Sequence, residues 1–125
     1  MDFVVAPDIQ RRITLIVKKA GLSHIKAERI KCFRSFGSSS RARARIWSFP
    51  RIWQLALSLE PNYVIEVISE KFDSLKISDQ DKVLIHELLH IPKNFSGALL
   101  PHRGRGRRIS WEVINELYKK TNIND

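Results

Sequence analysis

The segment of residues 85–92 constrains the fold of this chain most, because it places three polar side chains in an apolar helix. It contains the pattern H-E-x-x-H, so His86 and His90 lie one helical turn apart on the same face. The surrounding positions are nearly all apolar, which is typical of a buried helix. Burying two imidazoles and Glu87 costs free energy of folding unless each polar group has a hydrogen-bond or metal partner. A metal held by both histidines would satisfy them, with Glu87 beside it as a base.

Composition limits what else the chain can be. Its 125 residues, 43% of them hydrophobic, predict a single domain spanning residues 1–125 with a real core. The apolar runs are too short to cross a bilayer, and the N-terminus has no basic leader, so we expect no membrane association and no signal peptide. A single cysteine, Cys32, excludes a disulfide framework and a cysteine-rich metal site, and fits the cytoplasm. The net charge of +9 favours acidic partners.

Hydrophobic periodicity predicts an α+β fold, with a short mixed or antiparallel sheet and an N-terminal, an active-site and a C-terminal helix. Pro7 and Gly21 bound the first helix, Pro50 opens a short helix, and Ser78 and Ser110 are predicted helix N-caps. The predicted helices cover residues 7–20, 79–91 and 109–118, and the predicted strands cover residues 29–36, 41–47 and 63–68. The first two strands, joined by a Gly-Ser turn, predict a β-hairpin.

Two arginine-rich stretches indicate possible contacts with nucleic acid. In a strand, Arg41, Arg43 and Arg45 would share one face and could follow phosphates. The loop of residues 103–108 adds Arg105, Arg107 and Arg108. The alternative for the strand is an exposed sheet face that charge keeps soluble and unpaired.

A catalytic zinc normally has three protein ligands, and the motif supplies two. His102 is the favoured third ligand, since the loop after the motif helix can turn back over that helix. Glu112 and Glu116, on the last predicted helix, are the alternative. His24 has no partner pattern and is interpreted as an ordinary histidine.

Three stretches carry a resemblance to a known group of proteins. They are the strand Y-V-I-E-V-I at residues 63–68, L-I-H-E-L-L-H-I-P at residues 84–92 and F-S-G-A-L-L-P-H at residues 95–102. Together they resemble small metallopeptidases of prokaryotic and phage origin, which are minimal zincin-like proteins related in outline to the SprT-like group. The similarity runs from about residue 42 to residue 102. The chain departs from the methionine-turn zincins, because it lacks the H-x-x-G-x-x-H continuation and its only methionine is Met1.

The resemblance implies a zincin core, with His86, His90 and His102 as zinc ligands and Glu87 as general base. We therefore expect a metalloendopeptidase with one zinc per chain, in which Glu87 activates a zinc-bound water to hydrolyse a peptide bond. Arg103 and Tyr118 are candidates for stabilising the oxyanion. An extended protein substrate would pair with residues 63–68 or 41–47.

Two alternatives to this function stay open. One is a basic nucleic-acid-binding module whose metal site is structural or latent. The other combines both properties, in a peptidase that acts on proteins associated with nucleic acid.

Overall fold

The computed structural model describes residues 1–102 and 109–122. The described chain contains a four-stranded mixed sheet and five α-helices, which confirms the predicted α+β class. The strands are β1 (Asp2–Val5), β2 (Ile30–Phe36), β3 (Ala44–Trp47) and β4 (Tyr63–Ile68), and the helices are α1 (Pro7–Lys19), α2 (Arg51–Leu57), α3 (Ser69–Phe72), α4 (Ile77–Leu88) and α5 (Trp111–Asn122). A 3-10 turn, Ala27–Arg29, precedes β2. No helix in these ranges is both long and apolar enough to cross a membrane.

The strand order is β1-β2-β4-β3, so the predicted hairpin between the second and third strands is wrong. β4 lies between them, parallel to β2 and antiparallel to β3. The reason is the composition of β4, in which five of the six residues are buried. A strand this apolar is stable only with neighbours on both sides and cover on its faces, so it takes a central position. β3 is therefore left at the edge of the sheet.

The predicted strand at residues 41–47 is shorter in the structure, because β3 begins only at Ala44. Arg41 and Arg43 precede the strand, so the predicted row of three arginines on one strand face is also wrong. Arg45 lies within β3, and its Nε donates to Glu66 on β4 at 2.8 Å. Arg45 is therefore ion-paired with a fully buried carboxylate and is not free to bind a phosphate.

Nothing in the periodicity indicated β1, which pairs antiparallel with β2 at the other edge of the sheet. All four of its residues are exposed, so the strand has no buried face that would produce an alternating pattern. Its position depends on the ladder with β2 rather than on a hydrophobic signal in its own sequence.

The first helix matches the prediction within one residue, whereas α4 ends three residues earlier and α5 four residues later than predicted. α1 ends at Lys19 and is followed by Gly21 at a φ of 68°, as expected for a C-terminal stop. The Oγ of Ser110 accepts the N–H of Val113 at 3.4 Å, so the predicted cap of the last helix is confirmed. Pro50 precedes α2, also as predicted.

The start of α4 differs from the prediction, because the helix already includes Ser78 and has no side-chain cap. The buried amide of Gln80 instead binds the segment that precedes the helix. Its Nε2 lies within 3.1 to 3.3 Å of the carbonyl oxygens of Phe72, Asp73 and Leu75. The connection before the helix is therefore fixed by a side chain from inside it. Arg12 of α1 adds an ion pair to Asp81 at 2.7 Å, which joins the first helix to α4.

Candidate metal centre

The first two histidines lie at the C-terminal end of α4. The α-helix ends at Leu88. One tighter turn follows it, in which the N–H of His90 donates to the carbonyl of Glu87 at 3.1 Å. This turn keeps His86 and His90 on the same side, with their rings stacked at a centroid distance of 5.3 Å. The local spacing of the motif thus survives although the second histidine lies beyond the helix proper.

His102 reaches the same place from the loop that follows. The N–H of Leu100 donates to the carbonyl of His90 at 2.7 Å, which holds the returning chain against the end of α4. The His102 ring lies 5.0 Å from that of His86 and 4.5 Å from that of His90, and it is nearly perpendicular to both. The Nε2 atoms of His86 and His102 are 2.9 Å apart.

A buried tyrosine on β4 anchors this loop. The hydroxyl of Tyr63 accepts the N–H of Gly97 and donates to the carbonyl of Ala98, both at 2.8 Å. Gly97 has a φ of 93°, and a Cβ there would lie 2.3 Å from the carbonyl oxygen of Phe49. Glycine is therefore required where the loop crosses the chain before α2. These contacts fix the backbone from which Leu100 and His102 reach the site.

The three imidazoles suit a metal ion. One ligand nitrogen from each histidine lies within 4.8 Å of the others. The Nδ1–H of His90 donates to the carbonyl of Leu100 at 2.6 Å, which leaves its Nε2 lone pair free for a metal. Neighbouring nitrogens in a tetrahedral zinc site are about 3.3 Å apart, close to the spacing of His86 and His102. The donor set therefore fits zinc or another metal that prefers imidazole.

Burial keeps these histidines in the form that binds metal. Burial, together with the charges of His90 and His102, lowers the pKa of His86 to about 4. Burial also lowers the pKa of His90, against the opposing effect of its bond to Leu100. Both imidazoles are therefore neutral near pH 7, with a lone pair free to coordinate.

Glu87 lies beside the histidines and is 9% exposed. Burial raises its pKa to about 7, although the main-chain N–H of Ile46 on β3 acts in the opposite direction. A carboxyl group titrating near neutrality is suited to take up and release a proton. Glu87 and His90 line two cavities, one of about 650 Å³ and one of about 340 Å³. The larger one, which also contains His86 and His102, is called the histidine cleft below.

The other predicted site residues are distributed unevenly. Arg41, Arg43 and Arg45 line the histidine cleft, together with Asp79, Lys82 and Trp111, which the sequence did not single out. Tyr118 lies outside that lining, with the ammonium of Lys82 5.0 Å from its ring centre. Arg103, Arg105, Arg107 and Arg108 fall outside the described residues. Among the described residues, the group with His86 and His90 includes His102 and neither Glu112 nor Glu116.

Sequence reasoning also missed the residues that support the site. Nothing in the local pattern distinguishes Tyr63 from an ordinary strand tyrosine, and the Leu100 carbonyl belongs to the backbone of a loop. A buried tyrosine does need a partner for its hydroxyl, and that requirement is the one signal that could have pointed to a role.

The chain was compared with family models, curated proteins and solved structures. The model of the family described as "Putative phage metallopeptidase" matches residues 1–120 of the chain. No curated protein and no solved structure matches it significantly.

Proposed function

This chain belongs to the family described as "Putative phage metallopeptidase", and on that basis we propose that it is a zinc-dependent endopeptidase of the H-E-x-x-H type. Membership implies a metallopeptidase that uses a metal cofactor and acts on protein. The proposal adds the metal, the ligands and the base: one zinc per chain, held by His86, His90 and His102, with Glu87 as the general base.

One observation carries the proposal: three imidazoles from two separate segments meet at the wall of an open cleft. Within residues 1–102 and 109–122, no fourth histidine, cysteine or carboxylate joins them. Three protein ligands with a free position are typical of catalytic zinc, whereas structural zinc usually has four. This supports an enzyme over a purely structural metal site.

Glu87 is the residue of this chain that would move the proton. Zinc in this site would act as a Lewis acid, lowering the pKa of a water and polarising the substrate carbonyl. Glu87 would accept the proton of the attacking water and return it to the leaving amine. The Glu87 side chain is buried, which limits its contact with bulk water, and the main-chain N–H of Ile46 favours its charged form.

Strand β3 is the proposed binding edge for the peptide. The carbonyl of Arg43 accepts the N–H of Ile68. Because hydrogen-bonded pairs alternate along an antiparallel ladder, the main-chain N–H and C=O groups of residues 43, 45 and 47 point toward β4. The main-chain groups of Ala44 and Ile46 therefore point away from the sheet, and the N–H of Ile46 interacts with Glu87. Ala44 lines the histidine cleft. An extended peptide could thus add to this edge and pass beside the histidines. β4, the other predicted edge, is central and cannot take that role.

The test combines metal analysis with hydrolysis of a protein substrate such as casein. The wild type should contain one zinc per chain and cleave casein. Glu87→Gln should keep the zinc and lose activity by at least about 100-fold. His102→Ala should lose both, while the matched variants Glu112→Gln and Glu116→Gln should keep both.

Three outcomes would contradict parts of the proposal. Full activity in Glu87→Gln would show that Glu87 is not the general base. Zinc retained in His102→Ala but lost in Glu112→Gln or Glu116→Gln would move the third ligand to α5. A metal-free wild type that binds DNA in a salt-sensitive manner would instead support the basic nucleic-acid-binding module.

A further inference from the structure

The wall of the histidine cleft next to β3 carries positive charge that has no described counterion. Arg41 and Arg43 line the cleft, and both are exposed. Within the described residues, neither side chain makes a hydrogen bond or an ion pair. These two guanidinium groups are therefore available to a ligand that enters the cleft.

Four other described arginines are paired with carboxylates, whereas Arg11 and Arg51, which lie outside the cleft, are unpaired like Arg41 and Arg43. Arg12 contacts Asp81, Arg29 contacts Glu60, and Arg34 contacts both Asp8 and Asp73. Arg45, the third arginine of the cleft wall, is paired with Glu66. The free pair beside the histidines thus contrasts with the paired state of these four arginines.

The remaining charges in the cleft leave the wall cationic. Lys82 also lines the cleft, and its ammonium lies over the ring of Tyr118 rather than beside a carboxylate. The carboxylates lining the cleft in the described residues are Asp79 and Glu87, and Glu87 is buried. An acidic ligand would therefore meet two free arginines near the edge strand.

The edge strand favours a peptide as the ligand. β3 presents main-chain polar groups from Ala44 toward the cleft, and these can pair with the N–H and C=O groups of an extended peptide. A phosphodiester backbone has no N–H donors to complete such a ladder. A peptide can use the edge and the arginines together, whereas nucleic acid can use the arginines alone.

We propose that Arg41 and Arg43 form a specificity subsite for aspartate or glutamate side chains, so that the enzyme prefers acidic segments of its protein substrates. This inference rests on the proposed peptidase function. Exposed ion pairs contribute modestly each, so two of them give a preference of about 5- to 30-fold for acidic over neutral peptides.

The test measures cleavage and binding separately. Zinc-loaded wild type is incubated with a mixed peptide library, and the cleaved sites are identified by mass spectrometry. In parallel, binding of one acidic peptide and its Gln/Asn counterpart to the zinc-loaded Glu87→Gln protein is measured by fluorescence anisotropy. The same measurements are made with Arg41→Glu/Arg43→Glu in each background.

The control variant is Arg11→Glu/Lys26→Glu, which changes net charge equally at exposed residues that do not line the cleft. We expect acidic residues near the cut sites of the wild type and of the control. In Arg41→Glu/Arg43→Glu the ratio of acidic to neutral cleavage should fall at least 10-fold, as should the ratio of the two binding constants. Because salt screens exposed charges, raising the salt concentration should reduce the preference of the wild type for acidic peptides.

Each result decides one question. Arginine-dependent binding of the acidic peptide without any cleavage would refute the peptidase function and retain the subsite. Cleavage without an acidic preference, or an equal fall in acidic and neutral rates in Arg41→Glu/Arg43→Glu, would overturn the subsite. Oligonucleotide binding is measured by the same anisotropy assay, and its loss in that variant with an unchanged peptide preference would assign the arginines to nucleic acid and overturn the subsite too.

Discussion

The hydroxyl of Tyr63 offers the sharpest test of how the fold holds the third histidine. Tyr63→Phe removes two hydrogen bonds, to the N–H of Gly97 and the carbonyl of Ala98, both at 2.8 Å. The ring is retained, and it packs edge-on against Phe95 with centroids 5.0 Å apart. Because Tyr63 is 1% exposed, water cannot easily replace the lost partner. The variant therefore removes the anchor without leaving a large cavity.

The expected cost follows from these contacts. Each hydrogen bond contributes about 1 kcal/mol net, and a buried N–H left without a partner costs about 1–3 kcal/mol. We expect Tyr63→Phe to lower the free energy of unfolding by about 2–4 kcal/mol in metal-free protein. The loop after Gly97 also carries Leu100 and His102, so zinc affinity should fall about 10- to 100-fold. Under zinc excess this adds about 1.4–2.7 kcal/mol of destabilisation.

The assay is urea unfolding with chelator and with excess zinc, together with a zinc competition titration. Tyr118→Phe is the matched control, since the Tyr118 hydroxyl makes no hydrogen bond within the described residues. It should change stability by less than about 0.5 kcal/mol in either condition. A cost below about 0.5 kcal/mol for Tyr63→Phe would refute the anchoring. An equal cost with and without zinc would show that the hydroxyl holds the fold but not the metal site.

Two further predictions concern other contacts. Gly97→Ala should lower the free energy of unfolding by more than about 2 kcal/mol, because its φ is 93° and the new Cβ would lie 2.3 Å from the Phe49 carbonyl oxygen. Gly21→Ala, at a φ of 68° in open space, should cost only about 1–2 kcal/mol, and equal costs would contradict the steric argument. Asp8 accepts bonds from Arg34 at 2.6 and 2.8 Å, and this guanidinium lowers the pKa of Asp8 below 3.8. The ion pair therefore stabilises the protein above that pH, and this stabilisation is lost as the pH falls through the folded-state pKa of Asp8. Asp8→Asn should lower the free energy of unfolding by less than about 1 kcal/mol at pH 7 and leave it unchanged in strong acid. Urea unfolding across this pH range checks it, and a constant difference would contradict it.

Much of the fold was predictable because its signals are local. The stripe of apolar residues in α1, the β-branched run of β4 and the Ser110 cap each lie within one element. The i, i+4 spacing of His86 and His90 is also local, so one helical turn suffices to bring their rings together.

The errors came from pairings between distant segments. The hairpin prediction treated the two strands next to each other in the chain as neighbours in the sheet, but β4 pairs with both of them. The sequence of the turn between the two strands does not indicate that the later and more apolar β4 lies between them. The predicted Ser78 cap failed for a similar reason, since Gln80 fixes the preceding connection from within α4.

The sequence by itself determined that two histidines and a glutamate would share one helix end in an apolar setting, because helical spacing and hydrophobic pattern are properties of consecutive residues. Only the tertiary structure decided which distant groups join them. Tyr63 holds the loop that brings His102 to the pair, and Glu66 engages Arg45 while Arg41 and Arg43 stay free at the cleft. These choices depend on contacts between segments far apart in the chain, which form only when β4 packs at the centre of the sheet.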